Sequence, residues 1–392
     1  MISQARRFKR KYYYWVALFL LLNALILFVA VAEDPYRLNP VHLTIPRIND
    51  VKPRLYDYQR YVKLFDIAYQ KPKTIILGSS RVLWGIDPSN AVLQKYPPVY
   101  NAGVLGPPMY EIHEYFLHAL ANQPDLKRVI LALDFYAFNA KFDHRDLILK
   151  DTFGKDWREI LHTRRELLLD IPADLQTLWY SLLHKPVKSL QENGRLTPDP
   201  LSDRELYKDF FPQKEADEKE NINTQGNKKE NALQKLIKQP KMKDELYQPF
   251  KLSQIDMAAL QDIIETCKKR NIELYLYIPP LLRNGEIVAF HQLKLQNEFE
   301  NFQRSLVKLH PYWDFASWNK ITMSEDNFVD GSHHIFPVGN MIMVRILGQP
   351  LAGTPNGFGR YVTAENVEQH LKLIEQEYKL NKRLAYAPHH GN

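Results

Sequence analysis

From Tyr12 to Ala32 the chain is nearly unbroken apolar sequence, interrupted only by Asn23. A run of that kind leaves little conformational choice. In hydrocarbon every backbone N–H and C=O must find a partner inside the segment, and for a single segment only a helix does that. About twenty residues rising 1.5 Å each cross a bilayer core. Arg6, Arg7, Lys9, Arg10 and Lys11 precede the run, and such a cluster stays on the cytoplasmic side. Tyr12, Tyr13, Tyr14 and Trp15 stand where an interfacial aromatic belt belongs. The expectation is a single-pass membrane protein, with its N-terminus in the cytoplasm and its folded part extracytoplasmic. A cleaved signal peptide is the competing reading, because Ala30-Val31-Ala32 has a small-x-small form. The apolar run is longer than a usual signal core, which favours an uncleaved anchor. Both readings put the folded part in the same compartment.

Composition narrows the rest. Of 392 residues, 45% are hydrophobic and 25% charged, the balance of a globular domain with a substantial core. The net charge of +7 is partly a matter of topology, since five cations sit before the anchor, and it is not gathered into a nucleic-acid-reading element; no nucleic-acid partner is expected. The single cysteine, Cys267, excludes an internal disulfide and cysteine-based zinc sites. No metal and no cofactor are expected.

Organisation follows from periodicity. Residues 1–11 form a basic tail, 12–32 the anchor and 33–70 a proline-rich linker and approach segment. From residue 71 to 392, apolar runs of strand length alternate with helical patterns. Strands are expected at Lys73–Leu77, Pro98–Val104, Arg128–Phe135, Glu273–Ile278 and Tyr312–Ala316. Helices are expected at Met109–Ala121, Ile255–Arg270, Phe290–Leu309 and Val338–Leu347. That rhythm predicts an α/β fold with a mostly parallel sheet and helices on both faces. An insertion at about 141–250 breaks it, with a Leu-rich, mainly helical part and a highly charged, aromatic-free stretch at 214–245 that reads as a solvated loop.

In open parallel sheets, ligands lie beyond the carboxyl ends of the strands, so chemistry is sought in the loops there. After the first strand stands Gly78-Ser79-Ser80-Arg81; ending the second, Asn101-Ala102-Gly103-Val104-Leu105-Gly106; after the last, Asp330-Gly331-Ser332-His333-His334. Asp and His three apart can share one turn, the carboxylate accepting the Nδ1 proton and leaving Nε2 as a base. A serine hydroxyl needs such a base to become a nucleophile. Arg81 reads either as a solvent-facing or sheet-edge charge or as an anion contact, and Trp84 as core packing or a sugar platform.

Together these loops resemble the blocks of the SGNH (GDSL-like) hydrolase superfamily. "ILGSSRV" is similar to its first block, with Ser80 in the nucleophile position and Ser79 where Asp is usual. "VYNAGVLGPP" is similar to the second, with Gly106 as the glycine whose N–H serves the oxyanion alongside that of Ser80. "DGSHHIFPVGN" is similar to the fifth, with Asp330 and His333 as the catalytic pair and His334 as the less favoured base. The third block departs from the pattern: RVILALDF is followed by YAFN, so Tyr136 or Ala137 falls where the oxyanion Asn is expected, and Asn139 is out of register. Ser79, Arg81, Asn101 and Tyr136 remain as candidate substrate contacts. The resemblance implies a flavodoxin-like, three-layer α/β sandwich and, with the single anchor, the envelope branch of the superfamily, which includes teichoic-acid D-alanyl-transfer proteins and periplasmic polysaccharide O-acetyltransferases. It implies acyl transfer to or from a cell-envelope glycan or polymer, as O-acyltransferase or esterase, with a multi-span membrane acyltransferase as partner. The alternative it leaves open is a catalytically silent binding or scaffold relative.

Overall fold

The computed structural model describes residues 2–39, 43–142, 165–167, 169–198, 247, 249–282, 285–330, 332–349, 354–355 and 357–386. The charged stretch 214–245 lies outside them, as does the first part of the Leu-rich segment. The chain divides into two compact units, one made of residues 1–65 and 150–189, the other of 66–149 and 190–392.

The first unit is built on helix α1 (Ile2–Glu33). Its segment Arg10–Glu33 is long and apolar enough to cross a membrane. The carbonyls at its C-terminal end, which have no partner within a helix, are met by side chains. Asn49 Nδ2 donates to Ala32 O at 2.5 Å, and Lys52 Nζ donates to Glu33 O at 2.5 Å and Asp34 O at 2.8 Å. The segment expected as a linker is therefore packed structure, and it also carries helix α2 (Gln59–Gln70). The proline-rich sequence lacks periodicity because its order comes from such side-chain caps rather than from a repeating apolar face.

The second unit holds a six-stranded sheet, with β1 (Thr74–Leu77), β2 (Val99–Asn101), β3 (Arg128–Ala132), β4 (Glu273–Ile278), β5 (Tyr312–Asp314) and β6 (Arg360–Val362) in the order β2-β1-β3-β4-β5-β6. The first five run parallel, with Ile76 opposite Asn101 and Ile130, Ala132 opposite Tyr277, and Ile278 opposite Asp314. β6 pairs antiparallel with β5. β1 and β3 are buried along their whole length, which is why they read as continuous apolar runs rather than alternating ones. The winding reverses between β1 and β3, the place where such sheets open a crevice at their carboxyl edge.

Helix α3 (Ser80–Gly85) follows β1, and α4 (Met109–Asn122) follows β2. The first unit holds α5 (Ile171–Leu182). In the second unit α6 (Gln254–Lys269) packs along α4, and α9 (Phe336–Ile346) packs on α3. The single helix expected at Phe290–Leu309 is instead two, α7 (Gly285–Leu293) and α8 (Gln296–Leu309). Between them Lys294 takes a left-handed φ of 59° and Leu295 N–H bonds back to Phe290 O at 2.8 Å. No glycine or proline marks this break in the sequence. Both helices pack against the closing helix α10 (Val367–Tyr386).

Candidate active site

The turn between β1 and α3 is tight for a reason that can be read atom by atom. Gly78 has φ +151°, and a Cβ there would lie 2.6 Å from Val82 Cγ2 and 2.9 Å from Ala132 Cβ. Only glycine lets the chain leave the strand and enter the helix in so few residues. Ser79 then caps α3: its Oγ accepts from Arg81 N–H at 3.2 Å, and its carbonyl accepts from Val82 and Leu83. Ser80 becomes the first helical residue, its hydroxyl presented at the carboxyl edge of the sheet.

The loop after β2 is clamped beneath that turn. Asn101 is fully buried. Its Nδ2 donates to Val82 O at 2.9 Å and Ile86 O at 2.8 Å, and its Oδ1 accepts from Gly103 N–H at 2.9 Å. A Cβ on Gly103 would stand 2.5 Å from Leu83 N and 2.9 Å from Ser79 O. Val104 N–H donates to Gly78 O at 3.1 Å. The loop then turns at Gly106, whose φ is +53° and around which a Cβ would meet nothing within 4 Å. The conformation favours glycine, while the space beside it is open. Among the described residues, neither the Ser80 N–H nor the Gly106 N–H donates to a protein acceptor.

The third segment closes the arrangement. Asp330 Oδ1 accepts from the N–H groups of Ser332 (2.6 Å) and His333 (2.8 Å), folding the loop into one turn. Asp330 Oδ2 lies 2.7 Å from His333 Nδ1, and His333 Nε2 lies 2.8 Å from Ser80 Oγ, across 253 residues of sequence. Burial raises the Asp330 carboxyl's pKa, but the charge and hydrogen bond of His333 and the two backbone N–H groups outweigh it and hold it below its ordinary value. An ionised carboxylate only accepts. Nδ1 therefore carries the imidazole proton, and Nε2 is left to accept from the Ser80 hydroxyl. The indole of Trp84, itself buried, lies against the imidazole, with ring centroids 5.0 Å apart and planes tilted by 31°. Trp84 is thus a wall that fixes the His333 ring rather than an open platform.

His334 points elsewhere. It is fully buried over Gly85, where a Cβ would sit 2.1 Å from its Cε1, and its Nδ1 is 3.3 Å from Ile335 O. Burial pushes its pKa down to about 4.

Of the candidate substrate contacts, three are committed inside the fold. Ser79 accepts from the backbone it caps, and Asn101 is spent on α3. Arg81 is buried rather than solvent-facing: it pairs with Asp134, at the carboxyl end of β3, and its Nε donates to Ser332 Oγ at 3.2 Å. One guanidinium thereby ties the Ser79–Ser80 turn to the third strand and to the Asp330–His333 turn. Tyr136 is 6% exposed, packs edge-on against Phe142 and has the Arg81 guanidinium carbon 6.0 Å from its ring centre. Asn139 is buried, its Oδ1 accepting from Lys141 and Lys251 N–H, each at 3.1 Å, so that oxygen is used up in shaping its own loop.

Asp134 belongs to none of the loops singled out in the sequence, although a lone acid ending a buried parallel strand is itself a signal under the carboxyl-edge rule. Gly194 also went unnoticed. It sits at φ +78°, where a Cβ would collide with Asn101 O at 2.1 Å, and the neighbouring Asn193 O accepts from Asn101 N–H at 2.9 Å. No local pattern marks that pairing, because it joins residues about ninety apart. Among the described residues no group of three or more His, Cys, Asp or Glu is arranged to hold a metal ion.

No family model matches this chain, and no curated protein is significantly similar to it.

Proposed function

We propose that the protein is a serine acyl-transfer enzyme, an O-acyltransferase or esterase, with Ser80 as nucleophile, His333 as general base and acid, and Asp330 as the residue that orients it. The observation that carries this reading is the continuous Ser80 Oγ–His333 Nε2–Asp330 Oδ2 contact at 2.8 and 2.7 Å. Ser80 Oγ attacks the acyl carbonyl as its proton passes to His333 Nε2. The imidazolium that forms is stabilised by Asp330, and the proton returns to the leaving alkoxide. The acyl-serine is then discharged by water or by an acceptor hydroxyl, His333 again taking the proton. The unengaged N–H groups of Ser80 and Gly106 are the donors for the oxyanion, each worth about 3–4 kcal/mol in the transition state. No side-chain donor from the third block is assigned.

The strand order β2-β1-β3-β4-β5 supports a flavodoxin-like reading of the fold, the one that the SGNH resemblance of the three loops implies. The resemblance and the N-terminal helix together support the finer reading: an anchored envelope enzyme facing the periplasm, acting on a glycan or polymer and working beside a multi-span membrane acyltransferase. The test is acylation of the full chain in detergent by p-nitrophenyl acetate. Acetyl-enzyme at Ser80, seen by mass spectrometry and abolished in Ser80→Ala, supports the reading. Release of nitrophenol unaffected by Ser80→Ala contradicts it and leaves the binding-protein alternative.

A further inference from the structure

Helix α5, Ile171–Leu182, is amphipathic the wrong way round for a helix packed in water. The face turned to the rest of its unit is small and polar: Ala173, Asp174, Thr177 and Ser181 are all buried. The opposite face exposes Ile171, Leu175, Trp179 and Leu182, each 48% or more accessible, and Leu169 just before the helix adds to it. At 100° per residue these four helical positions fall within a narrow arc, far from the buried one. An apolar stripe outside and a polar one inside suits a helix whose outer medium is lipid.

Its place in the unit says which lipid. α5 packs on α1, at the end of the span, where Ala30 and Glu33 are buried while Val29 and Val31 stay exposed. The Tyr36 hydroxyl, three residues past α1, donates to the α5 cap Asp170 at 2.5 Å. Val51 N–H donates to Ser181 Oγ at 3.0 Å. So α5 is fixed at the level where the apolar run ends, the level of the membrane–water boundary. Trp179 and the nearby Lys185, whose ammonium is 5.8 Å from the indole centre, are an aromatic–cation pair of the kind that belongs there.

We propose that α5 is an interfacial helix, lying along the surface of the membrane that α1 crosses, with Leu169, Ile171, Leu175, Trp179 and Leu182 in the headgroup–acyl boundary and Lys185 at the lipid phosphates. The occupant of this face is phospholipid, continuous with the lipid around α1. The inference does not depend on the chemistry of Ser80.

The test uses the full chain in vesicles of phosphatidylcholine and phosphatidylglycerol, with an environment-sensitive fluorophore on Leu175→Cys or, separately, Leu21→Cys. The native Cys267 is buried and its thiol is pushed up to about 12 by that burial, so it does not compete for label. At Leu175→Cys the expected result is loss of more than about half the emission to lipids carrying a nitroxide near the headgroup, less loss to a nitroxide at the chain end, and protection from aqueous iodide. At Leu21→Cys the deep nitroxide should quench more strongly, which checks the span separately. Two outcomes overturn the proposal: full iodide access with no lipid quenching at Leu175→Cys, or energy transfer between labelled copies that survives dilution in lipid without lipid quenching, which would make the face a contact between copies.

Discussion

At the scale of single residues, the site depends on buried groups that tie its loops together. Asn101 meets the carbonyls of Val82 and Ile86, in and just after α3, and the N–H of Gly103 in its own loop. Asn101→Ala leaves those buried groups unpaired, at about 1–3 kcal/mol each when no water enters, and both the unfolding midpoint and the acylation rate of Ser80 should fall. Arg81 and Asp134 form a buried pair, and removing one partner strands the other's charge. Arg81→Met and Asp134→Leu should each lose about 3–5 kcal/mol, and the two combined should regain much of it; denaturation of the three variants checks the cycle. His334 gives a pH signature. Its folded pKa is depressed to about 4 from 6.5, so its contribution to stability is present above about 6.5 and is lost as pH falls towards 4. Unfolding midpoints across that window should drop in the wild type and drop less in His334→Gln.

At the scale of elements, the strand-to-helix turn, the glycine loop and the Asp330–His333 turn act as one unit because Arg81 and Asn101 hold them in register. Gly106 separates stability from chemistry. Its left-handed φ costs an alanine about 1–2 kcal/mol, but the open space beside it means that no packing is lost. Gly106→Ala should therefore lose no more than about 1–2 kcal/mol of stability, while its methyl, beside the proposed oxyanion position, lowers acylation by about 10²–10³, the value of one displaced donor. Equal losses in both measurements would remove Gly106 from the oxyanion role. Strands were the most legible elements: Thr74–Leu77 is a continuous β-branched and apolar run before turn residues, and Glu273–Ile278 is apolar and aromatic after its first residue and stopped by two prolines. The α7–α8 break was not legible, because Lys294 adopts a positive φ without any residue type that demands it. β6 was also missed; its three residues pair with β5 at the sheet edge, and so short an edge strand leaves no alternating pattern to read.

At the scale of the whole chain, what could be read in advance was the order of loops, not the contacts between them. Ser80, Asp330 and His333 stand out because a nucleophile needs a base and the base needs an orienting acid, and each follows a strand. Arg81, read as a solvent-facing or sheet-edge charge or as an anion contact, is buried against Asp134, a partner from another strand that only the sheet brings beside it. Within the approach segment 33–70, the described residues up to 65 are folded with the described residues of 165–189 around the end of α1, through side-chain hydrogen bonds that have no sequence period. The central claim is that Ser80 is an activated nucleophile, and a fluorophosphonate probe on the full detergent-solubilised chain tests it most directly. Labelling that approaches one probe per chain, maps to Ser80, disappears in Ser80→Ala and falls by about 10³–10⁴ in rate in Asp330→Asn is the expected result. A folded wild-type chain that takes no label at Ser80 would contradict it.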